Sequence, residues 1–379
     1  MTTLTTATIA APLGFVRPEN VLAPRDGRPG HRARTVSEPV RPQDLAAHVC
    51  DIEDLDATGG ATALTTHGFE SMRVPDRRGL HRQLRTVRDG GRMGDEDIRA
   101  IRRGLTGARL RSSDGSTLLI VHVAGEGVIL RNAGPNNLPL GVPGEAENPD
   151  GAAVIHADQD PLGRPFHQIT KGMGRRIFRH ESIDTHNRRS PLLLVNLWMP
   201  LQQATRPLTL MDTRTLDRAR DQLHYELPTQ GILDREDEDD INDIWWFRHD
   251  PAQRWFFRSA TGLGDAWVFD TLSTPHGAFN VPGEEVAAEG HRLVGDAIVA
   301  VEAGQPVAAS APLDVEAAAT PALRGAIAEL QTVLDEAPAR GDRQATAWLG
   351  RARRARDAVI RKSIEVRAVA VRLPGRRAR

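Results

Sequence analysis

The 379 residues carry 49 Lys and Arg against 50 Asp and Glu, a formal net charge of −1, and 40% of them are apolar. So balanced a chain has no global field for a nucleic acid or an anionic membrane, which excludes those partner classes, while its apolar share is enough for a large globular core. Cys50 is the single cysteine, so no internal disulfide and no thiolate zinc site can form, which points to the cytoplasm. No run approaches the roughly 18 apolar residues that span a bilayer, and the opening MTTLTTATIAAPLGF has no basic leader.

Residues 1–44 are rich in Pro, Gly, Arg and Thr without a period, which predicts an extended arm with little regular structure. DEDIRAIRRGLTGA (95–108) begins with acids and sets Ile98, Ile101 and Leu105 at helical spacing, so a helix is expected ahead of the first strands, TLLIVHVAG and GVILRN. Between 152 and 281 the runs AAVIHAD, SPLLLVNLWMPL, PLTLMD, DIWWFRH, QRWFFRSA and DAWVFDT are short, β-rich and separated by Pro, Gly and Asp, the pattern of a barrel or a double-sheet jelly roll. Residues 313–360 are rich in Ala, Leu and Arg, with two helical patterns broken at APARGD, and predict a helical hairpin. RKSIEVRAVAVRL (361–373) then returns to period two and predicts a strand that closes the same sheet. The fold class expected is mainly β with added helices (α+β). The acidic DREDEDDIND (234–243) and the basic RLPGRRAR (372–379) read as a solvated loop and tail.

The chemistry begins at VIHADQDP (154–161). On a strand, His156 and Asp158 point to the same side, because alternate residues share a face. A histidine from a distant strand would complete a 2-His-1-carboxylate facial triad, which leaves adjacent positions open on a non-haem Fe(II). A single H-x-D arises by chance in a chain with 13 histidines, so it needs support. His276, where the strand AWVFDT runs through a turn into PHG, is the candidate third ligand; the plain alternative is a capped turn histidine. RKSIEVR offers Arg361, Ser363 and Arg367 on one strand face, groups suited to gripping a carboxylate, or else the polar side of an ordinary edge strand. Asn196 and Trp198 share a face of the VNLWMPL strand; Asn196 is a candidate for the pocket wall, whereas a β-core Trp is more often packing. Tyr225, the only tyrosine, is given no role.

The order H-x-D, VNLWMPL with PLTLMD, WVFDTLSTPHGAF and RKSIEVR, preceded by THGFESM (66–72) and LTGARLRSS (105–113), resembles the CmcJ/NvfI family of Fe(II)- and 2-oxoglutarate-dependent oxygenases, which includes gibberellin desaturase-like proteins. The resemblance covers roughly residues 45–280 and 361–372. It implies a cupin-like double-stranded β-helix over 45–312 with an N-terminal helix, a helical insertion over 313–360, and a closing strand and basic tail over 361–379. It implies Fe(II) held by His156, Asp158 and His276, which are also the catalytic residues, and 2-oxoglutarate held by Arg361 with Ser363, or by Arg367. The activity implied is hydroxylation or desaturation of a small molecule of secondary metabolism, with dioxygen as cosubstrate, by a monomer or homodimer. Two departures stand out: Met199 occupies the place of the family's Arg in N-x-W-R-P, and some eighty residues separate His276 from the R-x-S-I-E strand. Two other classes fit the same residues. A 2-oxoglutarate-independent cupin-type metalloenzyme would keep the triad and dispense with Arg361 and Arg367, and a non-catalytic partner of a biosynthetic enzyme would keep only the barrel.

Overall fold

The computed structural model describes residues 7–24, 30–34, 44–140, 154–158, 178–179, 192–227, 242–338 and 344–375. Two sheets face each other. The larger runs, neighbour to neighbour, Thr8–Phe15 (β1), Ala46–Asp54 (β4), Trp255–Phe257 (β14), Leu208–Met211 (β11), His276–Ala278 (β16), His156–Ala157 (β8), Asn242–Phe247 (β13), Gln222–Leu227 (β12), Arg32–Ala33 (β3) and Val21–Leu22 (β2). The smaller runs Phe69–Arg73 (β5), Asp265–Asp270 (β15), Leu192–Gln202 (β10), Arg361–Leu373 (β17), Thr117–Ala133 (β7) and Arg109–Arg111 (β6), with Phe178–Arg179 (β9) parallel to β10. The chain passes from the smaller sheet to the larger after β10, returns for β15, crosses again for β16 and ends its described course on β17, which is the jelly-roll arrangement expected from the spacing of the strands.

Strand parity explains how the smaller sheet divides its residues. Leu193, Val195, Leu197 and Met199 of β10, with Ile364, Val366, Ala368 and Ala370 of β17, pack outward against Leu80, Leu84 and Val87 of the helix Leu80–Gly90 (α1) and Ile101 and Leu105 of Asp95–Leu105 (α2). The alternate residues, Asn196 and Trp198 on β10 and Arg361, Ser363, Glu365 and Arg367 on β17, are left for the space between the sheets. A strand covered on both sides reads as an unbroken apolar run, which is why LLLVNLWMPL hardly alternates. The expected helix over 95–108 is α2, although β1, β4 and β5 come before it. TLLIVHVAG and GVILRN are one strand, β7, which follows β17 through two register shifts.

The outer face of the larger sheet is also covered. Ile9, Ala11, Leu13 and Phe15 alternate with exposed neighbours along β1 and join Trp245, Phe247, Trp255 and Phe257 beneath three helices, Glu284–Glu302 (α3), Pro321–Asp335 (α4) and Ala345–Ala358 (α5). Regular structure therefore reaches into a stretch where little was expected: TIAAPLGF has a period of two that its Pro and Gly obscure, and Pro12 is tolerated because β1 is an edge strand. The expected hairpin forms as α4 and α5; residues 339–342 of its APARGD break lie outside the described residues, as do 234–241 of the acidic run and 376–379 of the tail. Pro321 at N1 and the Thr320 hydroxyl, which accepts from the Leu323 N–H, start α4. No expectation covered α3, although Ala287, Val294, Ala297 and Ile298 give it a buried stripe. β17 was expected to close the sheet, and it lies inside it, between β10 and β7. Among the described residues no helix is long and apolar enough to cross a membrane.

One buried histidine makes the helical layer sensitive to acid. His291 of α3 is 6% exposed, and burial, followed by the nearby Arg356 guanidinium of α5, pushes its pKa down to about 4. A folded-state pKa below the free value means the unfolded chain takes the proton first. The contribution of neutral His291 is therefore complete above about pH 6.5 and is lost as the pH falls towards about 4. Allowing for residual solvent, the loss by pH 4.5 is about 1–2 kcal/mol. Urea unfolding at pH 7 and pH 4.5 should show a smaller drop for His291→Leu than for the wild type, and equal drops would refute the assignment.

Candidate metal centre

His156 and His276 stand directly opposite each other where β8 and β16 pair antiparallel, with ring centroids 4.4 Å apart. Two residues after His156, Asp158 leaves the end of β8 on the same side, with Oδ1 3.7 Å from Nε2 of His156 and Oδ2 3.7 Å from Nε2 of His276. Among the described residues, His156, Asp158 and His276 are the one group of three such side chains close enough to share a metal ion, their ligand atoms all lying within 4.8 Å of one another.

The surroundings prepare these groups as ligands. Nδ1 of His156 lies 2.9 Å from the Val154 carbonyl and Nδ1 of His276 3.0 Å from that of Thr274. A carbonyl can only accept, so each Nδ1 carries the proton and each Nε2 turns its lone pair towards the centre, as in histidines that bind metals. Burial, and then the neighbouring His156, push the His276 pKa down to about 4, so it stays neutral at pH 7. Burial alone would raise the Asp158 carboxyl, but His276, Arg367 and His156 hold it well below the usual carboxylate range. Two imidazoles that turn Nε2 to the centre and one carboxylate, brought together by a β-pair, fit a divalent ion.

A polar frame from the opposite sheet holds Asp158. The Asn196 amide donates 2.9 Å to Asp158 Oδ2 and 2.9 Å to Glu365 Oε1, and Arg367 Nη2 donates to Asp158 Oδ1 at 3.4 Å. Arg131 of β7 donates to Glu365 Oε2 at 3.1 Å and keeps that buried carboxyl low despite its desolvation. Asn196, expected on the pocket wall as a cofactor-binding residue, here holds the Asp158 and Glu365 carboxylates. Glu365 was expected on this face, with Arg367 as its partner, and Arg367 Nη2 lies 4.0 Å from its Oε1; Arg131 was not expected. Glu365 lay within the RKSIEVR strand and shares its face, but the ion pair to Arg131 joins residues 234 apart, which no local pattern reveals.

Arg361 and Arg367, alike by parity, differ in what they meet. Arg367 is engaged with Asp158, whereas Arg361 is 2% exposed, its guanidinium 5.9 Å above the Trp198 ring, with one hydrogen bond from Nη1 to the Arg206 carbonyl at 3.4 Å. Its Nε and Nη2, and the hydroxyl of neighbouring Ser363, are buried without a partner among the described residues. Burial, then the guanidinium groups of Arg206 and Arg131, lower the Arg361 pKa to about 9 against the weaker pull of Glu365 and Glu284, so at pH 7 it is a desolvated cation with no ion pair among the described residues. An arrangement with two parallel N–H donors and a hydroxyl two residues along suits one carboxylate. Met199 belongs to the outer cluster, so the position where the resembled family carries Arg faces the helices here. Trp198 packs between the sheets with Leu208, Leu210, Phe256 and Phe269, and Tyr225 stacks on Trp246, centroids 3.5 Å apart.

Comparison with known proteins gives three findings. Residues 128–292 match a family described as "Oxidoreductase/YMDC permease-like domain". No curated protein matches the chain. Solved structures of "iron and alpha-ketoglutarate-dependent endoperoxidase NvfI" are similar: one, in a different conformation, at 14% identity and a TM-score of 0.48, covering 98% of this chain and 100% of that one, and another at 15% identity and 0.48, covering 98% and 99%.

Proposed function

We propose that the protein is an Fe(II)- and 2-oxoglutarate-dependent oxygenase that oxidises a small molecule of secondary metabolism, with dioxygen as cosubstrate. The observation that carries this reading is the convergence of His156, Asp158 and His276, with both imidazoles held so that Nε2 faces the centre. Arg361 and Ser363 separate it from a metalloenzyme that needs no keto acid, because their unpaired donors call for a carboxylate within the same space between the sheets. Residues 45–312 and 361–379 form the catalytic core in this reading, residues 1–44 an arm and 313–360 a helical insertion, and the protein acts in the cytoplasm as a monomer or homodimer.

Bound together, Fe(II) and 2-oxoglutarate would supply dioxygen activation coupled to decarboxylation of the keto acid to succinate, with the oxidising power spent on a substrate C–H bond. His156 and His276 would each offer Nε2 and Asp158 the one carboxylate oxygen. Asn196 and Arg367 keep the Asp158 carboxylate turned to the centre. Arg361 and Ser363 hold the distal carboxylate of the cosubstrate and so fix where its other end lies. The Trp198, Phe256 and Phe269 cluster removes water from one wall, with the Phe269 ring 4.5 Å from His276. The test is metal content and succinate release: protein reconstituted anaerobically with Fe(II), then given 2-oxoglutarate and air, should release succinate. Bound iron without keto-acid turnover or binding would favour the cupin-type alternative.

A further inference from the structure

Outside the ligand set, Glu284 at the start of α3 is a carboxylate with no exposed surface. Its Oε1 accepts from the N–H groups of Arg206 at 2.7 Å and Val281 at 2.9 Å, and its Oε2 from that of Asn136 at 2.8 Å. These donors belong to three separate stretches: the turn after β7, the link between β10 and β11, and the link between β16 and α3. Two of them, with a close neighbour, hold unusual backbone: Arg206, Asn136 and Asn137 have φ of 50°, 49° and 59°, a region that side chains rarely adopt. Side chains tie the node further, through the Arg206 guanidinium on Asn137 Oδ1 and the Asn280 amide on Asn136 Oδ1. From its other side, the Arg206 carbonyl accepts the one described hydrogen bond of the Arg361 guanidinium.

We propose that Glu284 is a positioning residue for the carboxylate clamp: by gathering three N–H groups it fixes the Arg206 carbonyl, which aims Arg361 so that Nε and Nη2 face the bound anion. This rests on the proposed function and deepens it. A carboxylate has the acceptor capacity to hold three donors at once, and full burial makes each of those bonds costly to lose, so it can keep a residue in a disfavoured conformation. Among the described residues the 206 carbonyl is the one hydrogen-bond acceptor for the Arg361 guanidinium, and the Trp198 face fixes its plane without fixing its direction, so a shift of the 206 carbonyl would turn the clamp.

Glu284→Gln keeps the shape but turns amide hydrogens towards an N–H, so at least one of the three donors loses its acceptor. Three quantities are measured: Fe(II) affinity, the Kd of 2-oxoglutarate for the iron-loaded protein under argon, and Tm. The expected result is roughly tenfold weaker 2-oxoglutarate binding, with Fe(II) affinity unchanged. Glu289→Gln, on the same helix and ion-paired with Arg292 at the surface, should leave both affinities alone. A Glu284→Gln protein with lowered Tm but wild-type 2-oxoglutarate affinity would make Glu284 merely structural and overturn the proposal. If that variant fails to fold, Glu284→Asp keeps the charge and shortens its reach, and it is judged by the same affinity. A wild-type protein that binds iron but no 2-oxoglutarate would sink the underlying function and this inference together.

Discussion

His276→Ala is expected to abolish tight Fe(II) binding while leaving the protein folded. Losing even a supporting partner of a metal ligand commonly costs ten- to a hundredfold in affinity, so losing the ligand itself should cost at least about a hundredfold. His276 is the informative position among the three. Asp158 also satisfies Asn196 and Arg367, and truncating it would strand a buried amide N–H and a half-buried guanidinium and confuse lost metal with lost stability. His276 gives up one hydrogen bond, to Thr274, and its ring lies against Phe269, so the cavity left by alanine is lined by an aromatic face and closed β-strands. Anaerobic titration followed by the weak visible band of an iron–keto-acid chelate, with circular dichroism as the check on folding, reads the effect. Unchanged iron binding in this variant would end the triad assignment.

Arg361→Lys should weaken 2-oxoglutarate binding by about thirty- to a hundredfold, and Arg367→Lys by much less. Two parallel charge-assisted hydrogen bonds from a planar guanidinium are replaced by the point charge of an ammonium, a loss of about 2 to 3 kcal/mol. Burial that already lowers the Arg361 pKa to about 9 would act more severely on a lysine, whose ordinary value is lower, so part of the variant population would be neutral. Arg367 is spent on Asp158, so its replacement should appear first as weaker metal binding and only then in the cosubstrate. Titration of 2-oxoglutarate at fixed iron distinguishes the two. A large loss confined to Arg367→Lys would move the clamp six residues along the strand, and no loss in either would favour a keto-acid-independent enzyme.

What the sequence could reveal followed from locality. His156 and Asp158 share a face because they are two apart, and Arg361, Ser363, Glu365 and Arg367 share one for the same reason; strand parity needs no knowledge of partners. The pairing of His156 with His276 depends on the register of β8 against β16, and the choice between Arg361 and Arg367 on which one meets Asp158; neither is written in either segment alone. The strand β1 was obscured because Pro12 and Gly14 interrupt a pattern that an edge position permits. The helix α3 was passed over although its apolar residues recur at helical spacing. The role of Glu284 could not be foreseen in any local pattern, since two of its three partners sit 78 and 148 residues away and all three are backbone groups, which leave no mark on composition.

The strand that carries Arg361, Ser363, Glu365 and Arg367 lies between β10 and β7, and this sets the order in which the protein can be assembled. Neither neighbour can pair through its inner edge until residues 361–373 have been made, some 230 residues after β7 is complete. Until then both strands offer unpaired N–H and C=O groups to each other in the wrong register, or to another chain, the exposure that slows folding and invites aggregation. Folding and construction of the proposed anion clamp are thus one late event: a chain cut short before Arg361 would lack the arginine proposed to hold the cosubstrate and also the central strand of its smaller sheet, so a truncated product should be insoluble rather than a soluble protein without its anion site.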